Sequence, residues 1–464
     1  MVFRFINQIQ FHMDQTLRQA MMRFSETAIH TNGAGFGVII DNDKKCIGVI
    51  TDGDIRRQLV KDGSIDTKIK EVMNKEFVYA TPENTPHQIL RFFEERIKVL
   101  PVIDNSGKLV DIFFRSDFNA SARMEKRIIR SKSPVRISFS GGGTDISNYF
   151  KFNDNPGYVL SATINKYCYA SVKVLPEKRI QIVSKDYKKT IEADRLEHLE
   201  SGGDLSLITT SVKLMNPPFG FELETYSEID PGTGLGGSSA ISAAVVGALN
   251  HFRNEDQLDK YNLADLTYQA ERVELGVAGG WQDQYATVFG GLNLIEFRKK
   301  EIVVIPIRVE NDILLEFQFN LLLFRFGNSR KSGDIVEDQK KQLRSDGGLL
   351  LHYQELSKNT LKMKDALLKG EINCFGKLLN TGWELKKKFS SKISNDYIDN
   401  LYNSAIKAGA LGGKVLGAGS AGYLLICCNP SCQGDVIETL KSKGAKLENF
   451  DFVKKGLQTW TTRY

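Results

Sequence analysis

The densest chemistry in the chain is the run Pro231-Gly-Thr-Gly-Leu-Gly-Gly-Ser-Ser-Ala240 and the small-residue stretch Ile241–Leu249 behind it. Glycines let backbone N–H groups approach phosphate oxygens with no Cβ in the way. The stretch behind reads as a helix, and the loop enters its N-terminus. Unsatisfied N–H groups and the positive end of the helix dipole suit a polyphosphate there. Pro231, Gly232, Gly234, Leu235, Gly236, Gly237, Ser238 and Ser239 are therefore the candidates for nucleotide binding. Ser238 or Ser239 can offer a hydroxyl to Mg²⁺. No Gly-Lys-Ser/Thr follows, so the loop is not a Walker A motif. The competing reading is a flexible turn ahead of a packed helix.

Three further stretches carry acids, bases or glycine turns. Ser133-Pro-Val-Arg-Ile-Ser-Phe-Ser-Gly-Gly-Gly-Thr-Asp145 reads as a strand running into a three-glycine turn, and it presents Arg136 and Asp145. Gly142, Gly143, Thr144 and Asp145 are candidates for holding a substrate, although a lone Asp also serves as a turn or cap residue. In Ala270-Glu-Arg-Val-Glu-Leu-Gly-Val-Ala-Gly-Gly-Trp-Gln-Asp-Gln-Tyr285, Glu271 lies near the end of a helical pattern that glycines break before Asp283. Two carboxylates so placed can divide the work, one on a metal and one facing a substrate hydroxyl; a surface acid on a loop is the plain alternative. The glycine-rich run 409–422 precedes a buried strand. It makes either a tight hairpin or, through Gly417 and Gly419, a lid over phosphate. Arg330, just past a strand-like run, suits bidentate phosphate recognition, or is an ordinary surface Arg.

The elements that must position these groups need more than one core. A chain of 464 residues implies two or three domains, and 41% apolar with 25% charged residues is globular composition. The formal charge of +6 is mild and dispersed. It fits anionic small ligands, and no block of interleaved basic and aromatic residues favours nucleic acid. Six cysteines are scattered without CxxC pairs, which argues against a zinc site or a disulfide framework. The start lacks a signal core, and no run approaches the roughly 20 apolar residues of a membrane span. A cytoplasmic protein without membrane or nucleic-acid partners is the expectation.

The first 118 residues repeat. Gly37–Thr51 reads as strand, Asn42-Asp43 turn, strand, and Asp52–Val60 as a helix capped by Thr51 or Asp52. Val99–Phe114 followed by Arg115-Ser-Asp-Phe118 repeats the pattern. Residues 119–130 are polar and basic and read as a linker. Further on, Ile302–Ile307 and Ile313–Phe326 read as β-type runs with a division near residue 315. The tail alternates helices (358–369, 371–388, 396–408) with strands (414–416, 422–428).

The front repeat, through Gly48-Val-Ile-Thr51-Asp-Gly-Asp54, resembles a CBS-domain pair. The resemblance implies that Thr51 and Asp54 contact the ribose of an adenine nucleotide. The second copy keeps Asp117 but has Phe114 in place of the Thr, so one nucleotide effector is expected. From residue 131 to about 458 the four glycine-bearing motifs, in this order, resemble the GHMP kinases, and most of all the D-glycero-D-manno-heptose 7-phosphate kinase branch. Asn155–Lys166, Trp383–Lys388 and Ile393–Tyr402 belong to the same pattern. Gly237 stands where that branch often has Ser, and Ser420-Ala421 interrupt a closing loop that is usually all glycine.

The resemblance implies an α+β architecture: a CBS pair (1–118), the linker (119–130), an ATP-binding domain (131–315) and a ferredoxin-like C-terminal domain (316–464). It implies ATP and Mg²⁺ as cofactors, Asp283 as the catalytic aspartate, Arg136 as the cation at the reacting oxygens, Ser238 and Glu271 as metal ligands, and Asp145 on sugar hydroxyls. The expected reaction is phosphorylation of the anomeric hydroxyl of a heptose 7-phosphate by a homodimer. A kinase for another sugar such as fucose, and a nucleotide-sensing protein without turnover, are the alternatives.

Overall fold

The computed structural model describes residues 6–28, 33–61, 63–84, 86–93, 97–114, 127–175, 179–253, 257–327, 333–345, 348–419 and 422–463. The chain divides into two compact units, Met1–Lys126 and Arg127–Tyr464.

In the first unit, β1 (Gln10–His12) runs parallel to β2 (Phe36–Ile40), which pairs antiparallel with β3 (Cys46–Thr51). A second hairpin joins β4 (Val99–Ile103) to β5 (Leu109–Phe114). The two hairpins share their turn chemistry. Asp41 Oδ1 accepts from the backbone N–H groups of Asp43 and Lys45, and Asp104 Oδ1 accepts from those of Ser106 and Lys108. The acid before each turn, ahead of the Asn42-Asp43 pair, thus organises it. The helix Asp52–Val60 is capped by Thr51 in a reciprocal capping box with Asp54.

In the second unit, β6 (Arg127–Ser140), β7 (Gly157–Val174), β8 (Ile180–Ser184), β9 (Lys189–Ala193), β10 (Phe221–Ser227), β11 (Leu292–Phe297), β12 (Ile302–Pro306) and β17 (Gln458–Arg463) form one eight-stranded sheet. β7 is 18 residues long and pairs with β6, β10 and β11. A smaller antiparallel sheet has the order β14 (Ala410–Val415), β15 (Gly422–Cys428), β13 (Leu321–Phe326), β16 (Lys446–Glu448). The helix Ile372–Lys387 packs on β14 and β15 and against the helix Leu349–Leu368. The last strand, β17, returns to pair with the first, β6, from Gln458↔Lys132 to Arg463↔Arg127.

Two expectations are corrected here. The stretch expected as a 119–130 linker is already strand from Arg127 onward, because β17 supplies its hydrogen-bonding edge. The apolar run from Ile313 is not all strand: Asn311–Phe319 is a helix and only Leu321–Phe326 is β. The helix buries Phe317 completely among Phe139, Phe375 and Phe452, with ring centroids 4.7–5.8 Å away, and leaves Leu315 and Phe319 exposed. A division at residue 315 would cut through this helix.

Candidate active site

Arg136 joins three of the four motifs. It lies within β6 and is 2% exposed. Its backbone N–H donates to Leu235 O at 3.0 Å, and Nη1 donates to Gly234 O at 2.6 Å. Nε and Nη2 both donate to Asp283 Oδ1, at 2.9 and 2.5 Å. A buried guanidinium needs such partners, and its fixed fork sets the angle between the glycine loop and the carboxylate.

The loop itself ends at Gly236, whose φ of +77° is a left-handed conformation that favours glycine. The helix Gly237–Asn250 starts there, and no side chain among the described residues caps it. Its first N–H groups are therefore open to an anion. Gly234 rests on the closing turn: a Cβ there would stand 2.5 Å from Leu416 O. Gly417 lies against Gly234 in return, and Gly419 against Ile393. The fourth motif so braces the loop backbone to backbone.

Asp283 sits in the first turn of the helix Gln282–Phe289. Glu271 lies in a π-helical turn, Gln269–Glu274, a form that recurs at functional sites. It is 4% exposed. Its Oε2 accepts from Ser239 Oγ at 2.8 Å and Gln284 Nε2 at 2.9 Å, and its Oε1 lies 3.3 Å from Arg272 Nη1. Ser239 is buried and orients Glu271, whereas Ser238 is exposed and lines the cleft. Two hard oxygen donors, Ser238 and Glu271, suit Mg²⁺, which takes one or two protein oxygens and completes its shell with phosphate and water.

Asp145 is 2% exposed and ties the glycine turn to the helix that carries Asp283. Oδ1 accepts from Gly143 N at 2.8 Å, and Oδ2 from Gln282 N at 3.1 Å. Gly143 rests on Phe389, which stacks on Tyr353 with centroids 3.8 Å apart. Thr144 differs from the expectation of a substrate contact. It is fully buried, its hydroxyl donates to Gly141 O and accepts from Tyr158 N, and it holds the turn instead. Leu235 is likewise core.

Arg136, Gly143, Asp145, Gly232, Gly234, Gly236, Gly237, Ser238, Glu271, Asp283 and Gly417 thus line one cleft of about 750 Å³. A second cavity of about 520 Å³, with Tyr187, Ile208, Ile229, Pro231 and Ile241 in its walls, shares Gly237 and Ser238 with it. The glycine loop stands between the two. Arg330 lies outside the described residues.

Sequence reasoning missed two lysines. Lys386 lines the cleft and donates to Gly142 O at 2.9 Å. Burial holds its pKa down to about 8. Lys414, on β14, is 4% exposed, and burial holds it well below the usual lysine range, with Lys386 and Arg136 adding repulsion. The signal for Lys386 was present: it lies three residues past Trp383 on the buried stripe Phe375, Leu379, Trp383. For the second cavity no local signal exists, because its walls come from five separate elements.

In the first unit, Thr51, Asp54, Arg57, Asn74, Phe77 and Lys98 line a cleft of about 1370 Å³. Thr51 Oγ1 donates to Asp54 Oδ2 at 2.7 Å, and Arg57 Nη2 lies 2.5 Å from Asp54 Oδ1. In the second copy Phe114 is core, 3% exposed, and Asp117 lies outside the described residues. No helix among the described residues is long and apolar enough to cross a membrane.

Comparison with known proteins bears on the family and the fold. Residues 206–291 match the GHMP kinases N terminal domain, 363–446 the GHMP kinases C terminal, and 7–61 and 69–120 the CBS domain. The D-glycero-alpha-D-manno-heptose 7-phosphate kinase of Campylobacter jejuni is 34% identical over 340 residues, 72% of this chain and 99% of the relative. A solved structure described as a putative sugar kinase from Campylobacter jejuni has 31% identity and a TM-score of 0.60, covering 73% of this chain and 99% of its own. One described as a D-glycero-D-manno-heptose 1-phosphate kinase from Bacteriodes thetaiotaomicron has 28% identity and a TM-score of 0.60, covering 72% and 100%.

Proposed function

We propose that this chain, which belongs to the GHMP kinase family, transfers the γ-phosphoryl of ATP to the anomeric hydroxyl of D-glycero-D-manno-heptose 7-phosphate, giving the 1,7-bisphosphate. The observation that carries this reading is the Arg136 junction, which sets Asp283 beside an open helix N-terminus in a polar cleft. The heptose comes from the Campylobacter jejuni relative.

Phosphoryl transfer has a loose transition state, so positioning and charge neutralisation carry the catalysis. The loop 231–239 receives the triphosphate on its backbone N–H groups, and the base lies in the adjoining apolar cavity. Ser238 and Glu271 would hold Mg²⁺, which would supply charge neutralisation for the triphosphate. The acceptor oxygen bonds to the γ-phosphorus as the bond to the β–γ bridging oxygen breaks, and ADP leaves with that electron pair. The acceptor proton passes to Asp283. Its Oδ1 is engaged by Arg136, so Oδ2 is the oxygen that takes the proton. Arg136 stabilises the charge spread over the transferring group. Asp145 faces sugar hydroxyls, and Arg330 is the partner proposed for the sugar phosphate.

The test is ATP consumption by the full chain with heptose 7-phosphate, unphosphorylated heptose, fucose and galactose. Turnover that requires the substrate phosphate supports this reading. Turnover of fucose or galactose instead moves the chain to another sugar. ATP binding without turnover of any acceptor leaves a nucleotide sensor.

For the first unit, we propose that Thr51 and Asp54 hold the ribose of one adenine nucleotide per chain, and that this effector biases the kinase. Such bias requires unequal binding to two kinase states. Calorimetry with AMP, ADP, ATP and nucleotide sugars tests it; no binding by any of them leaves a dimerisation module.

A further inference from the structure

We infer that Lys386, with Gln282 and Gln339, forms a face that reads the hydroxyls of the acceptor sugar, so that the C-terminal helices select the substrate together with the glycine turns. The inference rests on the kinase reading above and adds residues to it.

All three side chains line the same cleft as Arg136, Asp145 and Asp283. Lys386 is 5% exposed and Gln339 is 2% exposed. An ammonium carries three donors; one bonds Gly142 O at 2.9 Å. Gln282 Oε1 and Gln339 Nε2 are buried with no hydrogen-bond partner among the described residues. Buried polar groups without partners are costly, and a fold keeps them where a ligand completes them.

The kind of ligand follows from the signs. Lys386 and Gln339 Nε2 donate, whereas Gln282 Oε1 and Asp145 accept. A phosphate, which only accepts, would meet repulsion from the Asp145 carboxylate, while each glutamine amide offers both a donor and an acceptor. A sugar hydroxyl both donates and accepts, so a run of hydroxyls matches this mixed set. Gly142 stands between two of the three: a Cβ there would lie 3.2 Å from Gln282 Nε2 and 3.3 Å from Lys386 Nζ. The glycine at this position keeps both side chains free to turn toward the sugar. The sugar phosphate is then directed away from this wall.

Lys386→Met keeps the apolar stem and removes the donors; Gln339→Leu removes a donor on a different helix, Gly333–Ser345. Steady-state kinetics of the full chain would give separate KM values for heptose 7-phosphate and MgATP. We expect the acceptor KM to rise about tenfold in Lys386→Met and about threefold in Gln339→Leu, with the MgATP KM within about twofold of wild type. Lys386→Arg should recover part of the loss. Monodeoxy acceptors on the unaltered chain provide a check that needs no variant. For the hydroxyl that Lys386 reads, the deoxy penalty and the Lys386→Met penalty should not add. An acceptor KM unchanged in both variants, or penalties that add for every hydroxyl, overturns the inference alone. A wild-type chain that phosphorylates no acceptor overturns the kinase reading and this inference with it.

Discussion

Both units place an aspartate soon after a strand at the edge of a cleft, and the two aspartates live differently. Asp145 is 2% exposed and, among the described residues, accepts from backbone N–H groups alone, those of Gly143 and Gln282. Asp54 has a side chain 16% exposed and accepts from the side chains of its neighbours Thr51 and Arg57. The first ties together segments more than a hundred residues apart. The second closes a single helix turn. Only the first arrangement fixes segments from distant parts of the chain relative to one another, which is what a catalytic site requires. A local capping box suffices to present two oxygens to a ligand, which is what a binding module needs.

The sharpest way to break this comparison is at Asp283. Asp283→Asn keeps the shape and removes the proton acceptor, and kcat should fall by about 10²-fold or more. Because Arg136 is buried against this carboxylate, ATP titration must show that the loop still binds. Near-normal turnover would remove Asp283 from the catalytic role. Next come the metal donors. Glu271→Gln and Ser238→Ala should each raise the Mg²⁺ concentration needed for half-maximal rate, Glu271→Gln more so, since Glu271 also holds Ser239 and Gln284. An unchanged Mg²⁺ dependence in both would show that the metal sits elsewhere.

A pH series sharpens the comparison further. Lys386 faces Gly142 O and Asp145 on the glycine turn, Arg136 on β6, Asp283 on its helix and Lys414 on β14. Burial lowers its pKa to about 8, partly offset by Asp145 and Asp283. It is therefore charged below that pH and neutral above it. The acceptor KM should rise above pH 8 in the wild type, and the rise should vanish in Lys386→Met. Smaller still is the effect of Asp54→Ala, which should abolish nucleotide binding in the first unit and leave the basal rate unchanged. The smallest change is expected from a chain beginning at Met124, which keeps all of β6 and should retain full basal activity. A chain beginning past Ser133 would strip β17 of its partner strand and should lose solubility.

The local devices were legible in the sequence. The helix Asp52–Val60 with its Thr51 cap, the strand running into Gly141, and the loop opening the helix Gly237–Asn250 each follow from neighbouring residues. The run from Ile313 was not legible as helix and strand, because short apolar runs fit both periods; burial of Phe317 among three aromatic rings decided it.

What the chain alone determined, then, are the four motifs, their order and the glycine turn that opens the helix Gly237–Asn250, since backbone geometry and residue type act over a few positions. Tertiary structure decided which serine faces the cleft, that Thr144 serves the turn, that Lys386 and Gln339 join the site, and that residues 127–130 are strand. Each of those outcomes depends on a partner that lies far away in sequence: Glu271 for Ser239, Tyr158 for Thr144, Gly142 for Lys386, β17 for β6. Hydrogen bonding and burial set a side chain's role, and those are properties of the packed molecule rather than of any segment read alone.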